Sequence, residues 1–332
     1  MLFAAAHHGS ELPAADHALD LAQWLLAHRA EPGIAAALRD LDVWVVPMVN
    51  PDGNWTHLQV DRDYGRRNAT DTDGDGDFEP WEGVDLNRNY PFGWGVLGER
   101  GSRSWRQESF YRGPGPASEP EVRAMMALGD RRRFAAMVSY HTSATKVLTP
   151  YTIDGMDNPA PDVARQLCEA LVATTLRQPN GRRYEVVRKL YPVDGTDQDW
   201  FFHAHGTLAF LLESSIDNNA SVSAWHAAMD GTRPLALALL DDVRSGPWIG
   251  GTVRDAAGRP VEAEVTIDGI TTREGEVWRS RPADGRFDRR VAGPGRYVVT
   301  ARAPGRTPVS RAVEVGDERV RLDLVVAGNA AP

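Results

Sequence analysis

Along the first two thirds of the chain, apolar residues fall into two alternating patterns. Short apolar runs occur at Leu2–Ala6, Leu41–Val49, Ala135–Tyr140 and Thr207–Leu212, and runs of that length read as buried strands. Between them lie segments whose apolar residues repeat at helical spacing. In Ala15–Ala30 these are Leu19, Leu21, Trp24, Leu25 and Leu26, and Pro161–Leu176 reads the same way. Glu119–Leu128 is a further predicted helix, with Ser118 expected as its N-cap and Glu121 at the capping-box position. Such alternation implies an α/β sheet with helices packed on its faces.

The pattern changes near Ser245-Gly246-Pro247. Beyond it only short strand-like segments appear, separated by Gly and Pro: Gly251–Arg254, Ala263–Ile267, Arg286–Val291, Tyr297–Ala303, Ala312–Val315 and Val320–Val326. Several alternate polar and apolar residues, the mark of strands with one buried face. Together they read as a small all-β sandwich. The chain is therefore expected to divide into an α/β unit over residues 1–245 and a sandwich over 246–332.

Length agrees with this division, since 332 residues exceed what one core commonly holds. An apolar content of 42% and a charged content of 25% are ordinary for a globular protein. No apolar run reaches membrane-spanning length. Cys168 is the only cysteine, so no intramolecular disulfide is possible, and its helix-like surroundings mark it as core filling. The net charge is −9, and the stretch Asp71–Glu82 alone holds six acidic residues and no basic one. A charge imbalance this local points to a cation site. There is no basic stripe interleaved with aromatics, which excludes nucleic acid as a partner class.

Candidate chemistry begins at His8-Gly9-Ser10-Glu11, an H-x-x-E pair where the first strand gives way to a loop. Imidazole nitrogen and carboxylate oxygen suit zinc, and a catalytic zinc site takes three protein ligands and keeps one position open. Alone, the pair is a weak signal. Its context is richer: Asn50-Pro51-Asp52-Gly53 follows the second strand, and G-V-D-L-N-R-N-Y runs from Gly83 to Tyr90. Ser139-Tyr140-His141 ends one strand and Leu211-Leu212-Glu213 ends another. Open α/β sheets gather ligands at the carboxyl ends of their strands, so His8, Glu11, His141 and Glu213 are expected to meet in one crevice. The acidic stretch has its own spacing. Asp71, Asp73 and Asp75 fit positions one, three and five of a twelve-residue calcium loop. Gly76 fits the sharp turn, Asp77 the carbonyl position and Glu82 the bidentate twelfth position. Pro80 stands where an exit helix would begin, so a calcium loop without flanking helices is expected.

In this order, the H-x-x-E, N-P-D-G, G-V-D-L-N-R-N and S-x-H elements resemble those of the zinc carboxypeptidases of the A, B, N and E type. The resemblance runs from about Leu2 to Leu240 and includes Tyr111–Glu121, before the next helix. It implies a mixed twisted sheet with helices on both faces, zinc held by His8, Glu11 and His141, and hydrolysis of the last peptide bond of peptides or proteins. On the matching positions it implies Glu213 as general base and acid, and Asp85 as the carboxylate that orients a ligating histidine. Asn87 and Arg88 match the grip on the substrate's terminal carboxylate, a task that suits a guanidinium. Arg66 matches the arginine that steadies the oxyanion, with Arg67 competing in a loose register. Tyr191 matches the tyrosine that covers the substrate. His7 receives no role, and His203 and His205 are expected to be structural residues in a connection between a helix and a strand. Two other functions fit the same motifs: a zinc amidase acting on cell-wall peptides or acyl-amino acids, and a non-catalytic peptide-binding module. The presence of Asn87, Arg88, Tyr191 and Glu213 together favours carboxypeptidase activity.

The segment Ile249–Val261 resembles the opening of the transthyretin-like domain that follows the catalytic domain in the N/E branch. Gln198-Asp199-Trp200 also looks like that branch, whose members favour C-terminal Arg or Lys. Where that branch carries an aspartate after its third zinc ligand, this chain has Thr152. The family has further strands and a helix before H-x-x-E, so a truncated N-terminus is expected. Calcium loops and transthyretin-like modules suit an extracellular or periplasmic protein.

Overall fold

The computed structural model describes residues 1–178, 181–215, 217–218 and 221–328. Its first part holds strands β1 (Leu2–Ala5), β2 (Trp44–Val46), β3 (Ala136–His141), β4 (Lys146–Leu148), β5 (Glu185–Val187) and β6 (Leu208–Glu213). Helices α1 (Leu12–Ala27), α2 (Pro32–Asp40), α3 (Pro51–Trp55), α4 (Pro120–Arg132), α5 (Val163–Ala173), α6 (Asp197–His205) and α7 (Val222–Ser245) connect and cover them. The sheet order is β2-β1-β3-β6-β4-β5. All neighbours run parallel except β4, which is antiparallel to β6, so the sheet is mixed.

Both faces of the central strands are buried, which is why their sequences are continuous apolar runs. Phe3 and Ala5 of β1 share a core with α1, α5 and α7, through residues such as Leu21, Leu167 and Leu239. Leu2 and Ala4 face the other way, onto Val122, Met125 and Leu128 of α4 and Trp200 and Phe201 of α6. Cys168 lies fully buried in the first core, where burial raises its thiol pKa and leaves it inert.

Several boundaries differ from the sequence expectation. Helix α1 begins at Leu12 because Pro13 in its first turn is already set to a helical φ. The N-cap of α4 is Glu119, not Ser118, since Pro120 starts the helix. The Ser118 hydroxyl instead donates to Glu119 Oε1 at 2.6 Å and accepts from Asn89 Nδ2 at 2.9 Å. His203 and His205 lie within the last turn of α6, not in a connection.

After α7 the chain continues into β7 (Trp248–Asp255), β8 (Glu264–Ile267), β9 (Arg286–Arg290), β10 (Gly295–Arg302), β11 (Val309–Val315), β12 (Val320–Arg321) and β13 (Leu324–Val326). β8, β10 and β11 form one antiparallel sheet; β7 joins β9, β12 and β13 in another. Ile249, Val253, Val265, Phe287, Val299 and Leu324 form the core between them.

Candidate active site

Three parallel strands set the site. β1 pairs with β3 as far as Ala5 opposite Tyr140, and β3 pairs with β6 as far as His141 opposite Glu213. Their carboxyl ends are therefore level. After β1, Ala6 adopts a positive φ of 57° and turns the chain out of the sheet into His7 and His8. Glu11 sits at the N-cap position of α1, yet its side chain makes no cap hydrogen bond. It turns inward to the histidines.

There His8 Nδ1 lies 2.7 Å from Glu11 Oε1, and His141 Nδ1 lies 3.0 Å from Glu11 Oε2. All three residues are at least 95% buried. On its other edge, His8 Nε2 lies 3.1 Å from Asp85 Oδ1. A carboxylate accepts only, so Nε2 carries a proton, and in the neutral ring Nδ1 presents its lone pair to Glu11. The Nδ1–Glu11 contact is satisfied either by a proton on Nδ1, as in an imidazolium, or by a cation that replaces that proton and takes both groups as ligands. Two imidazole nitrogens and one carboxylate, converging and shielded from solvent, fit a zinc ion with an open fourth position.

The charges are tuned by the same contacts. Burial, aided by Arg66, would lower the His8 pKa, but Glu11 and Asp85 outweigh both and raise it. Burial would raise Glu11, but His8 and His141 hold it well below its ordinary value. Asp85 is likewise held low against burial by Arg66, Arg88 and His8. Glu213 goes the opposite way: burial and the nearby Glu11 charge push it up to about 7. Its Oε2 is buried with no hydrogen-bond partner.

The remaining expected residues surround this centre. Arg66 grips Asp85 Oδ2 through Nε at 3.0 Å and Nη2 at 2.7 Å. Arg67 turns away, and its Nη1 donates to the Arg106 carbonyl at 2.6 Å. Asn87 Nδ2 lies 3.5 Å from His141 Nε2, and Asn87 Oδ1 accepts from the Asp197 N–H at 2.8 Å. Arg88 Nη2 donates to the Tyr191 hydroxyl at 3.1 Å, while its Nε is buried without a partner. Tyr191 is 48% exposed at the mouth. His8, Asn87, Arg88, His141, Tyr191 and Glu213 line one cleft together with Leu148, Leu190, Val193, Leu211 and Gln198.

Two features were not expected from sequence. The ring of Phe110 lies 4.7 Å from the Arg66 guanidinium and 5.5 Å from that of Arg88, and 6.2 Å from the Tyr191 ring. It is one platform for both arginines. Beneath the histidines, His7 Nε2 meets the Tyr90 hydroxyl at 3.0 Å and Asp197 Oδ2 at 3.6 Å, which fixes the ring stacked on His141. Burial pulls the His7 pKa down to about 4, so it is neutral at pH 7. Its adjacency to His8 was the one available signal.

In the acidic stretch, the carboxylates of Asp71, Asp73 and Glu82 converge. Asp71 accepts the N–H groups of Gly74 at 2.6 Å and Gly76 at 3.0 Å, and Glu82 is buried beneath the turn. Asp75 and Asp77 are exposed and stand outside this group. No helix flanks the stretch.

Residues 1–226 match the sequence profile described as zinc carboxypeptidase. Among curated relatives, carboxypeptidase O of Homo sapiens is 27% identical over 260 residues, covering 72% of this chain and 63% of the relative. Carboxypeptidase A6 of Mus musculus is 29% identical over 197 residues, covering 57% and 42%. The chain thus spans less than two thirds of the length of these relatives. Among solved structures, bovine thrombin-activatable fibrinolysis inhibitor in complex with tick carboxypeptidase inhibitor superposes with a TM-score of 0.62 at 19% identity, over 73% of this chain and 81% of that one. Carboxypeptidase A from Helicoverpa armigera gives 0.55 at 20% identity, over 72% and 59%. These two likenesses concern the fold.

Proposed function

Since the chain belongs to the zinc carboxypeptidase family, we propose that it is a metallocarboxypeptidase that releases the last residue of peptides or proteins. The observation that carries this reading is one cleft holding three parts. These are the His8–Glu11–His141 donor set, a carboxyl pushed up to about 7 with a free Oε2 at Glu213, and an arginine with an unpaired buried Nε at Arg88. Unpaired buried polar atoms await a partner, and a substrate supplies one.

His8, Glu11 and His141 would hold the zinc, whose Lewis acidity polarises a carbonyl and lowers the pKa of water. Glu213, facing the open side, takes a proton from the attacking water and returns it to the leaving amine; a pKa near neutrality suits both transfers. Arg66, held by Asp85, offers positive charge where the oxyanion develops. Arg88 and Asn87 donate to the terminal carboxylate, with the Tyr191 hydroxyl already accepting from Arg88. Leu148, Leu190, Val193 and Leu211 wall the space for the departing side chain.

Three further readings accompany this one. The loop at Asp71–Glu82 takes calcium, supported by the convergence of Asp71, Asp73 and Glu82. Residues 246–332 form a transthyretin-like module, supported by its two packed sheets. Action outside the cytoplasm fits both. Among the described residues no helix is long and apolar enough to cross a membrane.

The test is amino-acid release from a peptide panel by the zinc-loaded protein. Release from free C-termini, its loss with C-terminally amidated peptides, and a fall of at least about a hundredfold in Glu213→Gln are expected. Equal cleavage of amidated peptides, or full activity in Glu213→Gln, would overturn the proposal.

A further inference from the structure

Away from the cleft, one charged side chain occupies a position built for an apolar one. Phe287 of strand β9, and Val291 just past its end, belong to the sandwich core. Arg289 shares their register. It is only 7% exposed. Its Nη1 donates to the Asp288 carbonyl at 2.8 Å, but Nε and Nη2 are buried with no hydrogen-bond partner. Burial, with Arg133 nearby, pulls its pKa down to about 9, so it still carries its charge at pH 7.

Arg289 faces a cavity in the seam between the two parts of the chain. Phe202, Gly206 and Leu208 close it from the α/β side, and Ile270 and Trp278 from the sandwich. The neighbouring charges are already engaged. Arg290 turns to Asp242, with contacts of 3.0 to 3.3 Å. Asp162 borders the cavity, but its carboxylate caps α5 by accepting from Arg165 N–H at 2.9 Å and Asn158 Nδ2 at 2.6 Å. The Trp278 ring lies 5.4 Å from the guanidinium. A ring face attracts a cation but accepts no hydrogen bond in the guanidinium plane, where Nε and Nη2 point. A buried guanidinium cannot shed its proton as a lysine can, so its charge requires an opposite charge.

We infer that this seam cavity binds a small monovalent anion of chloride size beside Arg289, whose Nε and Nη2, closed to solvent in the structure, turn to it as it enters. The apolar walls exclude strongly hydrated or multiply charged anions. The site has a structural consequence. Trp278 Nε1 donates to the carbonyls of Phe202 at 3.1 Å and His203 at 3.2 Å, at the end of α6. An anion at Arg289 therefore neutralises the charge that backs this clasp and ties the sandwich to the helix whose other end forms the cleft floor.

The experiment is thermal unfolding of the zinc-loaded full chain at constant ionic strength, with chloride exchanged for gluconate, which is too large for the cavity. Tm is expected to rise by about 2–3 °C per tenfold chloride above the dissociation constant. Arg289→Met, which keeps length and removes charge, is expected to lose that dependence. Crystals of the unaltered protein in bromide add a readout that needs no variant: an anomalous peak beside Arg289 supports the site. A Tm indifferent to chloride, a dependence retained in Arg289→Met, or a cavity without bromide would overturn it. None of these outcomes depends on peptidase activity.

Discussion

At the residue scale, Asp85 organises the site. By accepting from His8 Nε2 it turns the Nδ1 lone pair toward Glu11, and by accepting from Arg66 it holds the nearest cation at a fixed distance. The grouping of His8, Glu11, His141 and Asp85 was legible in the sequence because each sits at a strand end or in a short motif. Phe110 was not, because it lies in an irregular loop where no periodicity marks a contact. Its ring beneath Arg66 and Arg88 leads to a specific expectation. Phe110→Ala should raise KM for a peptide substrate roughly 3- to 10-fold with a smaller change in kcat, in line with about 1 kcal/mol per stacked cation. Phe110→Tyr should restore it. An unchanged KM in steady-state kinetics would show that Asp85 and Tyr191 fix the arginines unaided.

At the scale of elements, the long central strands and the amphipathic helices followed from apolar runs and spacing. The misses have physical reasons. β4 and β5 are three residues each, too short to show a period. Helix α7 contains Pro234 and Gly231, which interrupt the pattern of a helix that tertiary packing nonetheless keeps continuous. The acidic stretch is linked to the cleft by loops alone. Arg106 Nη1 donates to the Thr72 carbonyl at 3.2 Å, Arg67 Nη1 donates to the Arg106 carbonyl at 2.6 Å, and Phe110 lies four residues further on. Calcium at Asp71, Asp73 and Glu82 would therefore steady the platform under both arginines. Chelating calcium while zinc is kept saturating should raise KM several-fold and lower Tm by a few degrees. If kinetics and calorimetry are both unchanged, the stretch is an acidic turn with no metal role.

At the scale of the molecule, a mixed sheet buried on both faces carries the candidate site at its carboxyl edge, and a sandwich packs against the helices. Central to the proposed function is that His8, Glu11 and His141 together hold the metal on which activity depends. Titration of the apo-protein with zinc, followed by calorimetry and peptide release in parallel, tests it most directly. One tight zinc per chain, activity rising in proportion to zinc bound, and loss of both in His141→Ala are expected. Peptide release by a zinc-free protein, or zinc binding undiminished in His141→Ala, would contradict it.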